Sequence, residues 1–388
     1  MKKAFLKVAG FILIAALGFM VFGFYRSGYI PSELNEGQVQ TELTDVGSPY
    51  KFYFSRLDNE EKTAYNLILK EIYSMPGSIE INRISYEQAD RVFEALLNDN
   101  PDLFFVGRRC SVSTKGSKTT FSVEYTVEKS EYPEMKKQID GICETVMASF
   151  TDISDEWQTE LEIHDYIIDN CEYQLDNGNG EQSTVYGALV EGKAACEGYS
   201  KAAKLLLDKA GIFSAVVSGM AENESGEVSP HMWNAVKIDG NYYYLDCTWD
   251  DPVSDDGSDS KTYFHFNLDR ESLSQTHSDF SYDFECNSTS GNYFVRTGAY
   301  FEAYGDGCKD RIVELIADAA ENGRDYVYIR FANEKAYGDA VEDLIENEEI
   351  YNLLKRAKKQ TDADFSTTAT GYFEQSERLI IAFVPKYE

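Results

Sequence analysis

Apolar positions in the first half of the chain recur every three or four residues, which is the spacing of amphipathic helices. Capping boxes that begin at Asp58 and Ser85 each precede such a run and predict two helices. Apolar and polar residues then alternate over 103–112 and 119–127, which indicates a strand pair. Residues 50–150 are therefore predicted to form an α+β lead-in region.

The helical spacing returns near Trp157 and places His164 on the apolar stripe of a helix. At that position we expect a hydrogen-bonded core histidine rather than a catalytic one. Beyond residue 290 the pattern alternates between strands and helices and includes one long helix near 334–358. We therefore predict a core region over 151–290 and a small separate α+β domain over 291–388.

The N-terminus carries three lysines ahead of an uncharged, strongly apolar run from Val8 to Tyr25. The run is longer than the core of an ordinary signal peptide, and no small-residue cleavage site closes it. We predict that residues 1–25 form a signal anchor, a transmembrane helix with the lysines inside, and that the polar residues 26–49 form a linker. A cleaved signal is the alternative, and it would also place the body outside the cytoplasm.

Composition and charge restrict the classes of function. The chain has 43% hydrophobic and 14% aromatic residues, which is enough for sizeable folded cores. Its formal net charge is −31, and a field of that sign repels phosphate backbones. Nucleic acid is therefore not an expected partner.

Seven cysteines are present, and no two of them form a Cys-x-x-Cys pair, so a structural zinc site or a thioredoxin-type redox centre has no support. An odd number leaves at least one thiol unpaired in an exported chain. Cys196 stands out because a strong helical pattern begins there and stops at Gly211. Backbone N–H groups and the positive end of the dipole at a helix start stabilise a thiolate, so Cys196 is a candidate nucleophile.

Apolar and polar residues alternate on both sides of an Asp-Gly pair at 239–240, which predicts a β-hairpin. A two-residue turn at that point pairs Ile238 with Asn241 and fixes the register of the whole hairpin. Because side chains two residues apart share a face, His231 and Asp246 then project to the same side as diagonal neighbours. An imidazole oriented by a carboxylate is what a cysteine nucleophile requires.

Three motifs in this order resemble the core of bacterial transglutaminase-like proteins. They are Gly-x-x-x-Cys-Glu-Gly-Tyr-Ser at 192–200, His-x-Trp-Asn at 231–234 and Leu-Asp-x-Thr-Trp-Asp-Asp-Pro at 245–252. The superfamily also includes peptide N-glycanases and relatives of cysteine proteases. The resemblance covers roughly residues 155–280, and the segment 100–105 is similar to the lead-in region of such proteins.

The resemblance implies a papain-like α+β core over 151–290, preceded by the α+β lead-in and the anchor and followed by the small α+β domain. It further implies that Cys196 is the nucleophile, that His231 is the general base and acid, and that Asp246 orients the histidine. Another strand is expected at 263–267. Unlike animal transglutaminases, the chain shows neither sandwich-length strand runs nor an EF-hand loop.

Together these features predict a membrane-anchored, extracytoplasmic thiol enzyme that acts on amide or peptide bonds of protein, peptide or cell-wall substrates through an acyl thioester. The alternatives are a cysteine protease or amidase-type hydrolase, a non-catalytic cell-surface interaction module that keeps the fold, and a disulfide-stapled receptor ectodomain. No residues are assigned to a cofactor or a metal, because the acidic loop at 250–259 lacks the spacing of calcium ligands.

Overall fold

A computed structural model describes residues 50–175, 178, 180–223, 225–252 and 261–387. The predicted anchor and linker over 1–49 lie outside the described residues, as does most of the acidic loop at 250–259. Within the described ranges, no helix combines the length and the apolar composition that a bilayer span needs. The architecture of the described part is α+β, as the sequence predicts.

The lead-in region packs three helices with a three-stranded antiparallel sheet in the order β1-β3-β2. Its elements are α1 (Phe52–Ser55), α2 (Asn59–Ile72), β1 (Ile79–Asn82), α3 (Tyr86–Asp99), β2 (Val106–Lys115) and β3 (Lys118–Tyr125). Both predicted capping boxes are complete, because the side chains of Asp58 and Ser85 each accept a hydrogen bond from the backbone N–H of the third helical residue, and their own backbone N–H groups donate one to the side chain of that residue. The strand β1 was not predicted, since four residues are too few for a clear alternating pattern.

The core region places helices against a four-stranded sheet in the order β8-β7-β6-β9. Helix α4 (Tyr132–Ser149) ends the lead-in region and packs against this core region. The helices of the core region are α5 (Glu156–Asn170), α6 (Val185–Leu189), α7 (Cys196–Ala210) and α8 (Arg270–Leu273). Its strands are β4 (Glu172–Tyr173), β5 (Lys193–Ala194), β6 (Ser214–Glu222), β7 (Val228–Ile238), β8 (Asn241–Leu245) and β9 (His277–Ser278). Cys196 is the first residue of α7, and Gly211 ends this helix in the left-handed conformation with φ of 81°, both as predicted.

The β7–β8 hairpin has the predicted register. Ile238 pairs with Asn241, and the pairing continues in step to Asn234 and Leu245. Asp239 and Gly240 both have positive φ, 50° and 83°, which is the conformation of a type I′ two-residue turn. The Asp-Gly pair therefore sets the alignment of the strand that carries His231.

The strand β7 is buried on both faces. Trp233 packs edge-on against Phe280, with ring centroids 4.9 Å apart, and Asn234 donates a 2.9 Å hydrogen bond to the Ser200 carbonyl of α7. One expectation about this part of the chain is wrong. The segment 263–267 contains turns over 264–267 rather than a strand. It is tied to the sheet by a bridge between Tyr244 and Leu268 and by a 3.2 Å hydrogen bond from the Asp246 N–H to the His265 carbonyl. The buried side of this segment is packed by side chains and not by a strand ladder.

Residues 289–387 form a second compact unit. Its elements are α9 (Tyr293–Arg296), β10 (Tyr300–Phe301), α10 (Asp306–Glu321), β11 (Val327–Phe331), α11 (Glu334–Ala340), α12 (Ile350–Ala357), β12 (Gly371–Gln375) and β13 (Ile380–Val384). The strands form one sheet in the order β10-β11-β13-β12, with an apolar core under the helices.

The prediction of one long helix near 334–358 is wrong. The chain leaves α11 through a π-helical turn at Val341–Glu346, and Glu348 then adopts a left-handed conformation with φ of 62° before α12 begins. Four consecutive polar residues over 346–349 have no apolar side chain to bury, so this segment can leave the helical path at little cost.

Candidate active site

The start of α7 is held by the backbone that precedes it. The Ala195 N–H donates a 2.8 Å hydrogen bond to the carbonyl of Gln182, and a Cβ at Gly198 would lie only 2.5 Å from that same carbonyl oxygen. A glycine is thus required in the first turn for the Gln182 segment to approach so closely. Cys196 is partly exposed at this helix end, where unpaired backbone N–H groups are available.

Charged side chains surround the turn after Cys196. Glu197 is buried and forms ion pairs with Arg108 of the lead-in sheet and with Lys201, at 2.7 Å from the Lys201 Nζ. The same guanidinium donates a 2.6 Å hydrogen bond to the Ser183 hydroxyl. The lead-in region therefore supports the helix start directly, which the sequence pattern did not reveal because the partners are far apart in the chain.

His231 and Asp246 are in direct contact. The Nε2–H of His231 donates a 2.7 Å hydrogen bond to Oδ2 of Asp246, and the two side chains are only 8% and 1% exposed. The other carboxylate oxygen, Oδ1, accepts from the backbone N–H groups of Thr248 at 3.0 Å and Trp249 at 3.2 Å. The carboxylate is thereby fixed at the end of β8.

This contact sets the charge state of both groups. Burial alone would raise the pKa of Asp246. The charge of His231 and the hydrogen bonds that the carboxylate accepts hold that pKa well below its usual range. Burial likewise disfavours a charged imidazole, yet the Asp246 charge, together with a hydrogen bond involving Cys196, raises the pKa of His231 to about 10. Both shifts favour an imidazolium beside a carboxylate, and the Cys196 sulfur is adjacent to this pair.

A second imidazole binds the same carboxylate. His277 on β9 is buried, and its Nε2 lies 3.2 Å from Oδ2 of Asp246. Sequence reasoning missed it, since a two-residue strand gives no periodic signal and the contact spans 31 residues. The ligand atoms of His231, Asp246 and His277 all lie within 4.8 Å of one another, close enough to hold a metal ion, but direct hydrogen bonds account for the arrangement.

A separate buried cluster surrounds Asp250. His164 has one ring nitrogen 3.2 Å from Asp250 and the other 3.0 Å from Asp165, so both nitrogens face carboxylates. Burial opposes the charge, but these two partners raise the pKa of His164 to about 9. His265 also contacts Asp250, at 3.3 Å. His164 is thus the hydrogen-bonded core histidine expected from the sequence.

The indole of Trp249 lies between the two clusters. Its ring centroid is 5.8 Å from that of His231, 4.7 Å from that of His277 and 5.1 Å from that of His265. The half-buried indole covers the His231–Asp246 pair, and the low-dielectric surroundings strengthen their hydrogen bond.

The seven cysteines are all unpaired thiols in the described part of the chain. The alternative of a disulfide-stapled receptor ectodomain is therefore wrong. Cys247, which directly follows Asp246, is buried, and burial raises its pKa well above the usual range. It is a core residue, whereas Cys196 is at the helix start beside His231.

Residues 144–247 match the model of the transglutaminase-like superfamily, and this segment is a domain of that superfamily. The match includes Cys196, His231 and Asp246, and it confirms the resemblance drawn from the three motifs. It does not by itself assign a role to any of the three residues.

Two solved structures are similar to part of the chain. One is a TGase, with 18% identity over 44% of this chain and 50% of that one, at a TM-score of 0.26. The other is a "putative cysteine protease" from Cytophaga hutchinsonii, with 14% identity over 38% of this chain and 58% of that one, at a TM-score of 0.24. The chain thus spans about half the length of these structures. No curated protein matches it by sequence.

Proposed function

We propose that this protein is a thiol-dependent acyl-transfer enzyme that acts on amide or peptide bonds of protein or cell-wall substrates. The observation that carries the proposal is the 2.7 Å hydrogen bond between His231 and Asp246, two buried groups beside the cysteine that begins α7. Cys196 is the nucleophile, His231 the general acid and base, and Asp246 the group that orients the imidazole.

The first half of the reaction follows from this arrangement. The Cys196 thiolate attacks the substrate carbonyl carbon, and the carbonyl π bond opens to an oxyanion that backbone N–H groups at the start of α7 stabilise. The Nε2 of His231 is bound to Asp246, so Nδ1 is the nitrogen available to the reacting atoms. The imidazolium gives a proton to the departing amine as the C–N bond breaks, which leaves a thioester and a neutral imidazole.

The second half regenerates the Cys196 thiolate and the imidazolium. Neutral His231 takes a proton from the incoming water or amine as that nucleophile attacks the thioester carbonyl, and the C–S bond breaks to release the thiolate. Water gives hydrolysis, and an amine gives transamidation. A pKa near 10 for His231 supports the first half, because the imidazolium needed to protonate the leaving amine is then present at neutral pH.

The body of the protein is proposed to work outside the cytoplasm, anchored by residues 1–25. This part of the proposal rests on the apolar run from Val8 to Tyr25 behind three lysines. The partners would be the membrane and a protein or peptide substrate that tolerates a strongly acidic surface.

The reaction type can be measured with the chain beginning at residue 50. Glutamine-containing peptides would be incubated with and without a primary amine, and the products identified by mass spectrometry. An amine adduct formed with release of ammonia indicates transfer, a deamidated peptide indicates amidase activity, and two shorter peptides indicate proteolysis. Cys196→Ala is the matched control, and product formation by that variant would contradict the proposal.

A further inference from the structure

Asp246 accepts four hydrogen bonds, which is the full capacity of a carboxylate. Oδ1 receives the N–H groups of Thr248 and Trp249, and Oδ2 receives His231 at 2.7 Å and His277 at 3.2 Å. With every acceptor position used, the carboxylate cannot turn about its χ2 axis without losing a partner. His277 fills the position that would otherwise leave Oδ2 half satisfied in a buried site.

The neighbours of His277 define which nitrogen carries its proton. A carboxylate only accepts, so Nε2 must be the donor toward Asp246, and Nδ1 is left to accept a 2.8 Å hydrogen bond from the Thr276 hydroxyl. Three titratable groups face the ring, namely Asp246, His231 and His265. Burial, with the charges of His231 and His265, lowers the pKa of His277 to about 4, so this ring is neutral while His231 is charged.

The backbone is shaped to bring His277 to this point. β9 pairs with β6 through Ala221 and His277, and β6 pairs with β7 so that Gly219 is opposite His231. A Cβ at Gly219 would lie 2.5 Å from the Ser278 carbonyl oxygen. Only glycine therefore lets the strand that carries His277 approach the sheet at the level of His231.

We propose that His277 is a positioning residue: its neutral Nε2–H fixes the Asp246 carboxylate so that one lone pair of Oδ2 stays directed at His231. The inference rests on the proposed function, since it concerns the group that orients the general acid and base. His277 is buried, its Nε2 is bound to Asp246, and its ring centroid lies 5.5 Å from that of His231, so it acts on the reaction through these two groups.

Two substitutions separate this role from simple filling of space. In His277→Gln the amide can place an N–H close to the position of Nε2, whereas His277→Met fills a similar volume without a donor. We expect His277→Met to lower kcat roughly 10- to 100-fold with KM within about twofold of wild type, and His277→Gln to recover most of kcat. Melting temperatures of both variants would be measured beside the kinetics.

Nitrogen-15 NMR of the imidazole rings gives a second readout that does not depend on turnover. In the wild-type protein we expect His277 to be neutral with its proton on Nε2 at pH 6–8, a range above its pKa of about 4. If His277→Met does not fold, Thr276→Val replaces it, because loss of the hydroxyl frees Nδ1 and should lower kcat several-fold in the same direction.

The results that would overturn the role of His277 differ from those that would overturn the proposed function. A wild-type protein without turnover and without selective reactivity at Cys196 defeats the proposed function. A wild-type enzyme that turns over, with an unchanged kcat in His277→Met, overturns the role of His277 alone. Three further results would overturn the role of His277. One is an equal loss of kcat in the Gln and Met variants that follows the loss in melting temperature. The others are an Nδ1–H tautomer of His277, and activity that a chelator removes and zinc restores.

Discussion

At the scale of single residues, two buried imidazoles that share one carboxylate have pKa values shifted in opposite directions. His231 has a pKa raised to about 10 and His277 a pKa lowered to about 4, although both donate to Oδ2 of Asp246. The shorter contact and the Cys196 sulfur favour the charge on His231, and a second cation at His277 would be repelled. The carboxylate thus has one charged and one neutral donor.

The orienting role proposed for Asp246 gives the first prediction. Asp246→Ala should lower kcat by about two to four orders of magnitude, because the imidazolium loses both its counter-charge and its fixed orientation. Asp246→Asn should keep much of the packing and still lose activity, since an amide does not stabilise the imidazolium. Steady-state kinetics of the two variants check this, and near-wild-type turnover in either would contradict the assignment.

At the scale of elements, the hairpin and α7 place the site, and both could be predicted from local sequence. The Asp-Gly pair sets a turn that few other dipeptides allow, and the position of Gly211 marks the end of a helix that begins at Cys196. These signals are contained within short segments. The contacts of His277 and Asp250 could not be predicted in the same way, because they depend on where distant loops pack.

The register supplies an element-scale prediction. One residue inserted between Asp239 and Gly240 should lower turnover by orders of magnitude, because a one-residue slip moves side chains to the opposite face of the strand and separates His231 from Asp246. An equal insertion at 376–377, in the connection between β12 and β13 of the second compact unit, is the matched control and should retain most activity, because neither strand carries a residue of the candidate site. Full activity in the first variant would show that the hairpin alignment does not position the site.

The cluster around Asp250 joins α5 to the loop after β8 and should make stability depend on pH. The folded pKa of His164, about 9, is above its ordinary value near 6.5, so its contribution to stability is complete below about pH 6.5 and is lost as the pH rises through 9. The free energy of unfolding of the wild type should therefore fall more steeply between pH 7 and 9 than that of His164→Gln, by roughly 1 kcal/mol per pH unit. Urea titrations measure this, and parallel slopes would rule out a charged His164.

At the scale of the whole molecule, the lead-in region and the core region act together at the site. Arg108 of β2 reaches Glu197 next to Cys196, so residues outside the matched family segment support the candidate nucleophile.

The break between α11 and α12 shows the limit of sequence patterns at this scale. Two helices with compatible apolar stripes look continuous until tertiary packing decides where the chain turns.

The proposed anchor gives a prediction for the full chain. Protease added outside intact cells should digest the body, while a fragment that contains Met1 to Tyr25 stays with the membrane fraction. A variant in which the three N-terminal lysines are replaced by glutamate tests the orientation. A mature N-terminus near residue 26 would show cleavage of the signal instead.

The central claim is the proposal that Cys196 is the nucleophile and that His231 activates it, and alkylation tests this without knowledge of the substrate. Burial raises the pKa of the other six thiols, for example to about 11 for Cys110 and Cys143 and about 12 for Cys171 and Cys308, so they should stay unreactive at low pH. With iodoacetamide at about pH 6, peptide mass spectrometry should find Cys196 labelled first, and His231→Ala should remove that preference. Uniform labelling of all seven cysteines, or unchanged selectivity in the variant, would contradict the account.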